Sequence, residues 1–274
     1  MLVEELIRYG KENCHSDLAK ILLADILNLN PLELLNHLDL VVEEDKCTRY
    51  KSLVKSIKEG TPIQYALGHV NFYGNEFIID NRVLIPRFET EQLIEKTVEY
   101  INKYFKEPID IIDLGCGSGV IGLTLEKKVS TNSVDLIDIS KDALEITHKN
   151  CAKLNSKANI IESDMFSAVD KKYDLIISNP PYIRTTEEIE DIVKDNEPSM
   201  ALYAGDDGLD CYRKILSTAK DHMKEKSMIA FEIGELQGDA IRALAHQYLD
   251  NIRIAIKKDL ADKTRMVFIF KNCE

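Results

Sequence analysis

No uninterrupted apolar run in the 274-residue sequence approaches the ~20 residues that a membrane-crossing helix requires. The opening, Met1-Leu2-Val3-Glu4-Glu5, lacks a basic segment leading into an apolar core, so no secretory signal is expected and the expected compartment is the cytoplasm. Cys14, Cys47, Cys116, Cys151, Cys211 and Cys273 include no Cys-x-x-Cys pair, which removes the common zinc spacing and the dense disulfide framework of small secreted domains. A Lys/Arg cluster is also missing. With 35 basic against 47 acidic residues the formal net charge is −12, which opposes nonspecific attraction to phosphate backbones. His15, His37, His69, His148, His222 and His246 show no pairing that suggests a ligand set or general base, and no metal is expected.

Apolar residues are ordinary in amount, 45%, and their spacing divides the chain. Leu18, Ile21, Leu22, Ile26 and Leu29 recur at three- and four-residue steps, and Asn30-Pro31 and Gly60-Thr61-Pro62 punctuate the region, so residues 1–70 are expected to form a small helical domain. Residues 71–86 change texture. Aromatic and β-branched runs around Gly74-Asn75 and Asp80-Asn81 predict a β-hairpin linker. From residue 87 a helix leads into alternating strands and helices, with strands expected at 109–114, 133–139, 159–161, 173–177, 227–233 and 267–270. That alternation predicts an α/β fold with a doubly wound parallel sheet over 87–274, and ligands of such sheets bind beyond the carboxyl ends of the strands.

The first of those ends carries Asp113, Gly115, Cys116, Gly117, Ser118 and Gly119, a glycine loop opening a helix. Gly117 to Gly122 also fits the Gly-x-Gly-x-x-Gly of dinucleotide-binding proteins, with Asp138 at the right distance to bind a ribose. Charge separates the readings: Asp113 would face a pyrophosphate unfavourably but suits a ligand with cationic groups, such as the sulfonium and ammonium of S-adenosylmethionine. Asp138 can accept from ribose hydroxyls, and Asp164, beside Met165, from an adenine amino group. Taken singly, each acid is also explained as a helix N-cap; the row of three beside the glycines favours a cofactor site.

The fourth strand runs into Ser178-Asn179-Pro180-Pro181-Tyr182, where two prolines must end the ladder. An exocyclic amine or amide nitrogen is a weak nucleophile because its lone pair is delocalised. The Asn179 side-chain carbonyl and the Pro180 backbone carbonyl can accept its N–H bonds, the prolines fix that geometry, and Tyr182 offers a flat face to a planar group. Asn179, Pro180 and Tyr182 are thus the candidate catalytic residues, and with Pro181 the candidate substrate-binding segment.

These blocks, together with "IPRFETE", "DLGCGSG", "EPSMALYAGDDGLDCYR" and "FEIGELQG", resemble the HemK/PrmC protein-(glutamine) methyltransferases over most of the chain from about Thr61. Met165 stands where that family often has tryptophan, and Cys116 where threonine is common. The resemblance implies a Rossmann-like class I methyltransferase domain with a small N-terminal helical domain for substrate docking. It also implies S-adenosyl-L-methionine as cofactor, and as partners the class I peptide-chain release factors, methylated on the glutamine of Gly-Gly-Gln. It carries the Gly115–Gly119 loop, Asp138, Met165 and Asn179 over as cofactor-binding positions. The residues leave two alternatives, an adenine-amine methyltransferase acting on DNA or RNA and a non-catalytic S-adenosylmethionine-regulated binding protein. Arg87, Glu89, Thr90 and Glu91 are expected near the cofactor's methionine end or, equally, as a helix-opening acidic turn, and no sharp role is expected for Glu197 or Glu232.

Overall fold

The computed structural model describes all residues, 1–274. The helical spacing of the N-terminal region becomes α1 (Val3–Asn13), α2 (Ser16–Leu27), α3 (Glu44–Lys58) and α4 (Ile63–Leu67), with a 3-10 turn at Glu33–Asn36. α2 ends where Asn28 turns left-handed (φ 54°), and α4 ends at Gly68 (φ 81°), the residue type that adopts this conformation without a Cβ penalty. Leu6, Leu22, Leu23, Tyr50 and Val54 are fully buried in a shared apolar core. Gly10 makes its tightest approach possible: a Cβ there would lie 2.0 Å from Tyr50 Oη and 2.6 Å from Ala19 Cβ.

Next come β1 (His69–Phe72) and β2 (Asn75–Ile78), paired as a two-stranded hairpin. Its two turn residues, Tyr73 and Gly74, both have positive φ (48° and 76°), the twist that suits a two-residue hairpin loop. α5 (Phe88–Tyr104) precedes an alternating series: β3 (Ile109–Leu114), α6 (Val120–Lys128), β4 (Thr131–Asp138), α7 (Lys141–Leu154), β5 (Asn159–Glu162) and β6 (Tyr173–Ser178). After the short α8 (Asp191–Asn196) follow α9 (Asp210–His222), β7 (Met223–Glu232), α10 (Gly238–Tyr248), β8 (Ile252–Lys258) and β9 (Thr264–Lys271). The chain forms two compact units, Met1–Val70 with Glu190–Asn196, and Asn71–Ile189 with Glu197–Glu274.

The sheet of the second unit has seven strands in the order β5-β4-β3-β6-β7-β9-β8. It is parallel from β5 through β7, while β9 runs antiparallel to both β7 and β8. β8 has no counterpart among the strands expected from sequence, although Ile252, Ile254 and Ile256 alternate as a half-buried strand requires. Ile111, Ile112, Leu175, Ile176, Ile229 and Phe231 are wholly buried, as in strands covered on both faces, and each such side chain contributes about 2 kcal/mol by leaving water. Strand order reverses at β3, between β4 and β6, so the carboxyl ends of these strands open the crevice where doubly wound sheets hold ligands.

Candidate active site

At that crevice the loop after β3 is shaped by three left-handed glycines, Gly115 (φ 70°), Gly117 (φ 56°) and Gly119 (φ 81°). Cys116 N donates to Ile137 O at 2.8 Å and Gly119 N to Cys116 O at 2.8 Å, closing the loop against β4. A Cβ on Gly115 or Gly117 would meet no atom within 4 Å, so both border open space. Asp138, the last residue of β4, accepts Gly117 N on Oδ2 (2.8 Å) and Ser140 N on Oδ1 (2.9 Å), and burial raises its pKa. Buried Asn150 on α7 donates to Ser118 O and pairs with Ile78 through both its amide atoms, fixing the loop to the end of β2.

These groups open onto a cavity of about 290 Å³ lined by Gly115, Cys116, Gly117, Ser118, Asp138, Asp164, Met165, Asn179 and Pro181. Met165 is left-handed (φ 52°), its carbonyl accepting from Ser163 Oγ at 3.0 Å. Other walls come from residues to which the sequence reading gave no site role: Arg82 to Leu84 and Pro86, expected within a linker, Pro198, Met200 and Ala201 of a family-like block, and Lys214.

Four expected residues lie elsewhere. Asp113 is fully buried and does not line the cavity. Its Oδ2 accepts Gly122 N of α6 at 2.9 Å and its Oδ1 has no partner; burial, with Asp138 nearby, pushes its pKa up to about 7. The side chain sits where β3 packs on α6 and holds the first turn of that helix. Gly119 also stands off the cavity, as the residue before α6, with Leu123 and Thr147 against it. Pro180 is buried and not part of the lining. Tyr182 packs against the main core, with its carbonyl accepting from Gln237 Nε2 at 2.9 Å, and burial pushes its phenol up to about 12. Asp164 lines the cavity and is ion-paired through Oδ2 with Lys214, a partner that the sequence reading did not expect.

Ser178 ends β6 and donates to Leu114 O at 2.6 Å, joining it to β3. Asn179 Nδ2 then donates to Thr90 Oγ1 at 3.2 Å, and Thr90 Oγ1 donates to Glu232 Oε2 at 2.6 Å. Glu232 is 1% exposed; burial pushes its pKa up to about 7, against the opposing pull of Thr90, Arg265 and Asn179. Glu197 is likewise buried, accepting Ile85 N at 3.1 Å and the Arg87 guanidinium. The signal for Glu232 was available, since a lone acid interrupting the apolar run 228–233 rarely lies buried without a partner.

No three His, Cys, Asp or Glu side chains are grouped to hold a metal, and all six cysteines are free thiols. No helix is long and apolar enough to cross a membrane.

The family model described as "PrmC N-terminal domain" matches residues 4–68, and the one described as "Methyltransferase small domain" matches residues 90–196. A curated release factor glutamine methyltransferase from Bacillus subtilis is 36% identical over 263 residues, which cover 93% of this chain and 91% of the relative. Another from Streptococcus pneumoniae is 35% identical over 270 residues, covering 97% and 94%. Among solved structures, a methyltransferase from Pyrococcus furiosus shares the fold with a TM-score of 0.54 at 15% identity, covering 83% of this chain and 98% of that one. The second unit is therefore a Rossmann-like methyltransferase domain. The whole chain belongs to the release factor glutamine methyltransferase family.

Proposed function

We propose that this protein transfers a methyl group from S-adenosylmethionine to the side-chain amide nitrogen of the glutamine in the Gly-Gly-Gln motif of class I peptide-chain release factors, in the cytoplasm. The observation that carries this reading is the Asn179 amide at the cavity edge: its NH2 is committed to Thr90, which leaves Oδ1 to accept from a substrate N–H.

The residues present fit the cofactor. Gly115 and Gly117 leave space that any side chain would fill, Asp138 uses two of its lone pairs on backbone N–H groups and keeps others for ribose hydroxyls, and Met165 offers an apolar thioether to a flat base. The bound cofactor supplies an electrophilic methyl group on a sulfonium. The chain's own contribution is positioning. Asn179 Oδ1 accepts an amide N–H bond, which orients the nitrogen for attack, and Pro180 and Pro181 hold that acceptor in place beforehand. Helices α1 to α4 supply the docking surface for the release factor.

Incubation with labelled cofactor and, in separate arms, a class I release factor, its Gly-Gly-Ala variant, DNA and RNA tests the reading. Label is expected only in the unmodified release factor. Label in DNA or RNA, or undiminished label in the Gly-Gly-Ala variant, would replace it.

A further inference from the structure

Thr90, Asn179 and Glu232 come from three separate elements, the first turn of α5, the end of β6 and the end of β7, yet they form one hydrogen-bonded chain. Above the pH at which Glu232 gives up its proton, its carboxylate can only accept, and there it sets the direction of that chain. The Thr90 hydroxyl points its single hydrogen at Glu232 Oε2, and its oxygen is then left to accept from Asn179 Nδ2. The Asn179 amide, which is nearly symmetric in shape, turns its NH2 toward both Thr90 and the Glu232 carboxylate and its oxygen the other way. A reversed amide would present N–H to a substrate N–H, where no hydrogen bond can form.

We propose that Thr90 and Glu232 are positioning residues that lock the Asn179 amide in the one orientation able to accept a hydrogen bond from the substrate amide. The proposal rests on Asn179 being the acceptor of the reading above. Its logic explains why an acid follows the apolar run Met228–Phe231, buried, with a hydroxyl as a partner. Glu89, Arg265 and Tyr182 also surround the carboxylate electrostatically, but Thr90 and Asn179 are the groups linking it to the cavity.

The test is steady-state methyl transfer to a Gly-Gly-Gln release factor by wild type, Thr90→Val, Thr90→Ser, Asn179→Ala and the Thr90→Val/Asn179→Ala double variant, with cofactor affinity measured by calorimetry. Thr90→Val keeps the volume and removes the hydroxyl. It is expected to lower kcat about tenfold, the loss of one buried hydrogen bond, while KM and cofactor affinity change by less than about twofold. Thr90→Ser is expected to recover most of that loss. In the Asn179→Ala background Thr90→Val should add nothing, because there is no amide left to orient. A purely structural role would instead lower stability and multiply with Asn179→Ala. Full turnover in Thr90→Val, or independent losses in the double variant, overturns the proposal while leaving the function intact. A wild-type enzyme that does not methylate glutamine overturns the functional reading, and the proposal falls with it. Should Thr90→Val fail to fold, Glu232→Gln, which can donate as well as accept and so frees the chain's direction, enters the same cycle with the same expectation.

Discussion

Asp138 and Gly117 are joined by a 2.8 Å hydrogen bond from the glycine's backbone N–H to the aspartate's Oδ2. A single carboxylate at the end of β4 therefore holds the loop that follows β3, and through Ser140 it also holds the start of α7. The same group orders the glycine loop and faces the cavity.

Asp138→Ala should accordingly weaken S-adenosylmethionine binding by roughly 10- to 100-fold, the usual worth of charge-assisted hydrogen bonds, and Asp138→Asn by less. Calorimetric titration of the cofactor checks this. Unchanged affinity in Asp138→Ala would remove the carboxylate from the binding site.

Asn179→Ala removes the acceptor but leaves Pro180 and Pro181 in place. Methyl transfer should slow by roughly 10²- to 10³-fold, as when one preorganised polar contact at a reacting group is deleted. Single-turnover rates at saturating cofactor separate this from a binding defect. Near-normal turnover would eliminate the amide clamp.

Two buried carboxyl groups predict how stability depends on pH. Asp113 is raised from 3.8 to about 7 and Glu232 from 4.5 to about 7, both first by burial. Between those limits the folded protein holds protons that the unfolded chain has released, so stability falls as pH rises through roughly 4 to 7 and is lowest above it. Each group contributes on the order of 3–4 kcal/mol to that fall. Tm should decline from pH 5 to pH 8, and Asp113→Asn should flatten the slope by removing one of the two groups. A Tm that rises over this interval in wild type would contradict the burial of these charges.

Gly10→Ala places a methyl group on Tyr50 Oη and Ala19 Cβ, where the three helices have no room. Overpacking of this kind costs about 1–3 kcal/mol, to be seen in denaturant unfolding of the full chain. Wild-type stability in this variant would mean that α1 can move away from α3 at no cost.

What was legible in the sequence follows from the range of each signal. Strands β3, β4 and β6 announced themselves because each is a short stretch rich in Ile, Leu or Val that stops at glycine, acid or proline, and the loop, Asp138 and Asn179 sit where those stretches stop. The burial of Asp113 off the cavity lining was not legible because sequence gives its position at the strand end but not which side of the sheet the side chain takes; its contact with Gly122 depends on how α6 packs back. The ion pair of Asp164 with Lys214 was not legible because the two are distant in sequence. The pairing of Thr90 with Glu232 spans 142 residues and two elements, and no local pattern encodes it. β8 is a different case: its alternating isoleucines were visible, and short half-buried edge strands are easily passed over beside longer runs.

The most direct test of the central claim is peptide mass analysis of a class I release factor after incubation with S-adenosylmethionine and either wild-type enzyme or Asn179→Ala. The expected result is one added methyl group on the glutamine of the Gly-Gly-Gln peptide with wild type and its near absence with the variant. Methylation at another residue, or equal methylation by both enzymes, would contradict the account.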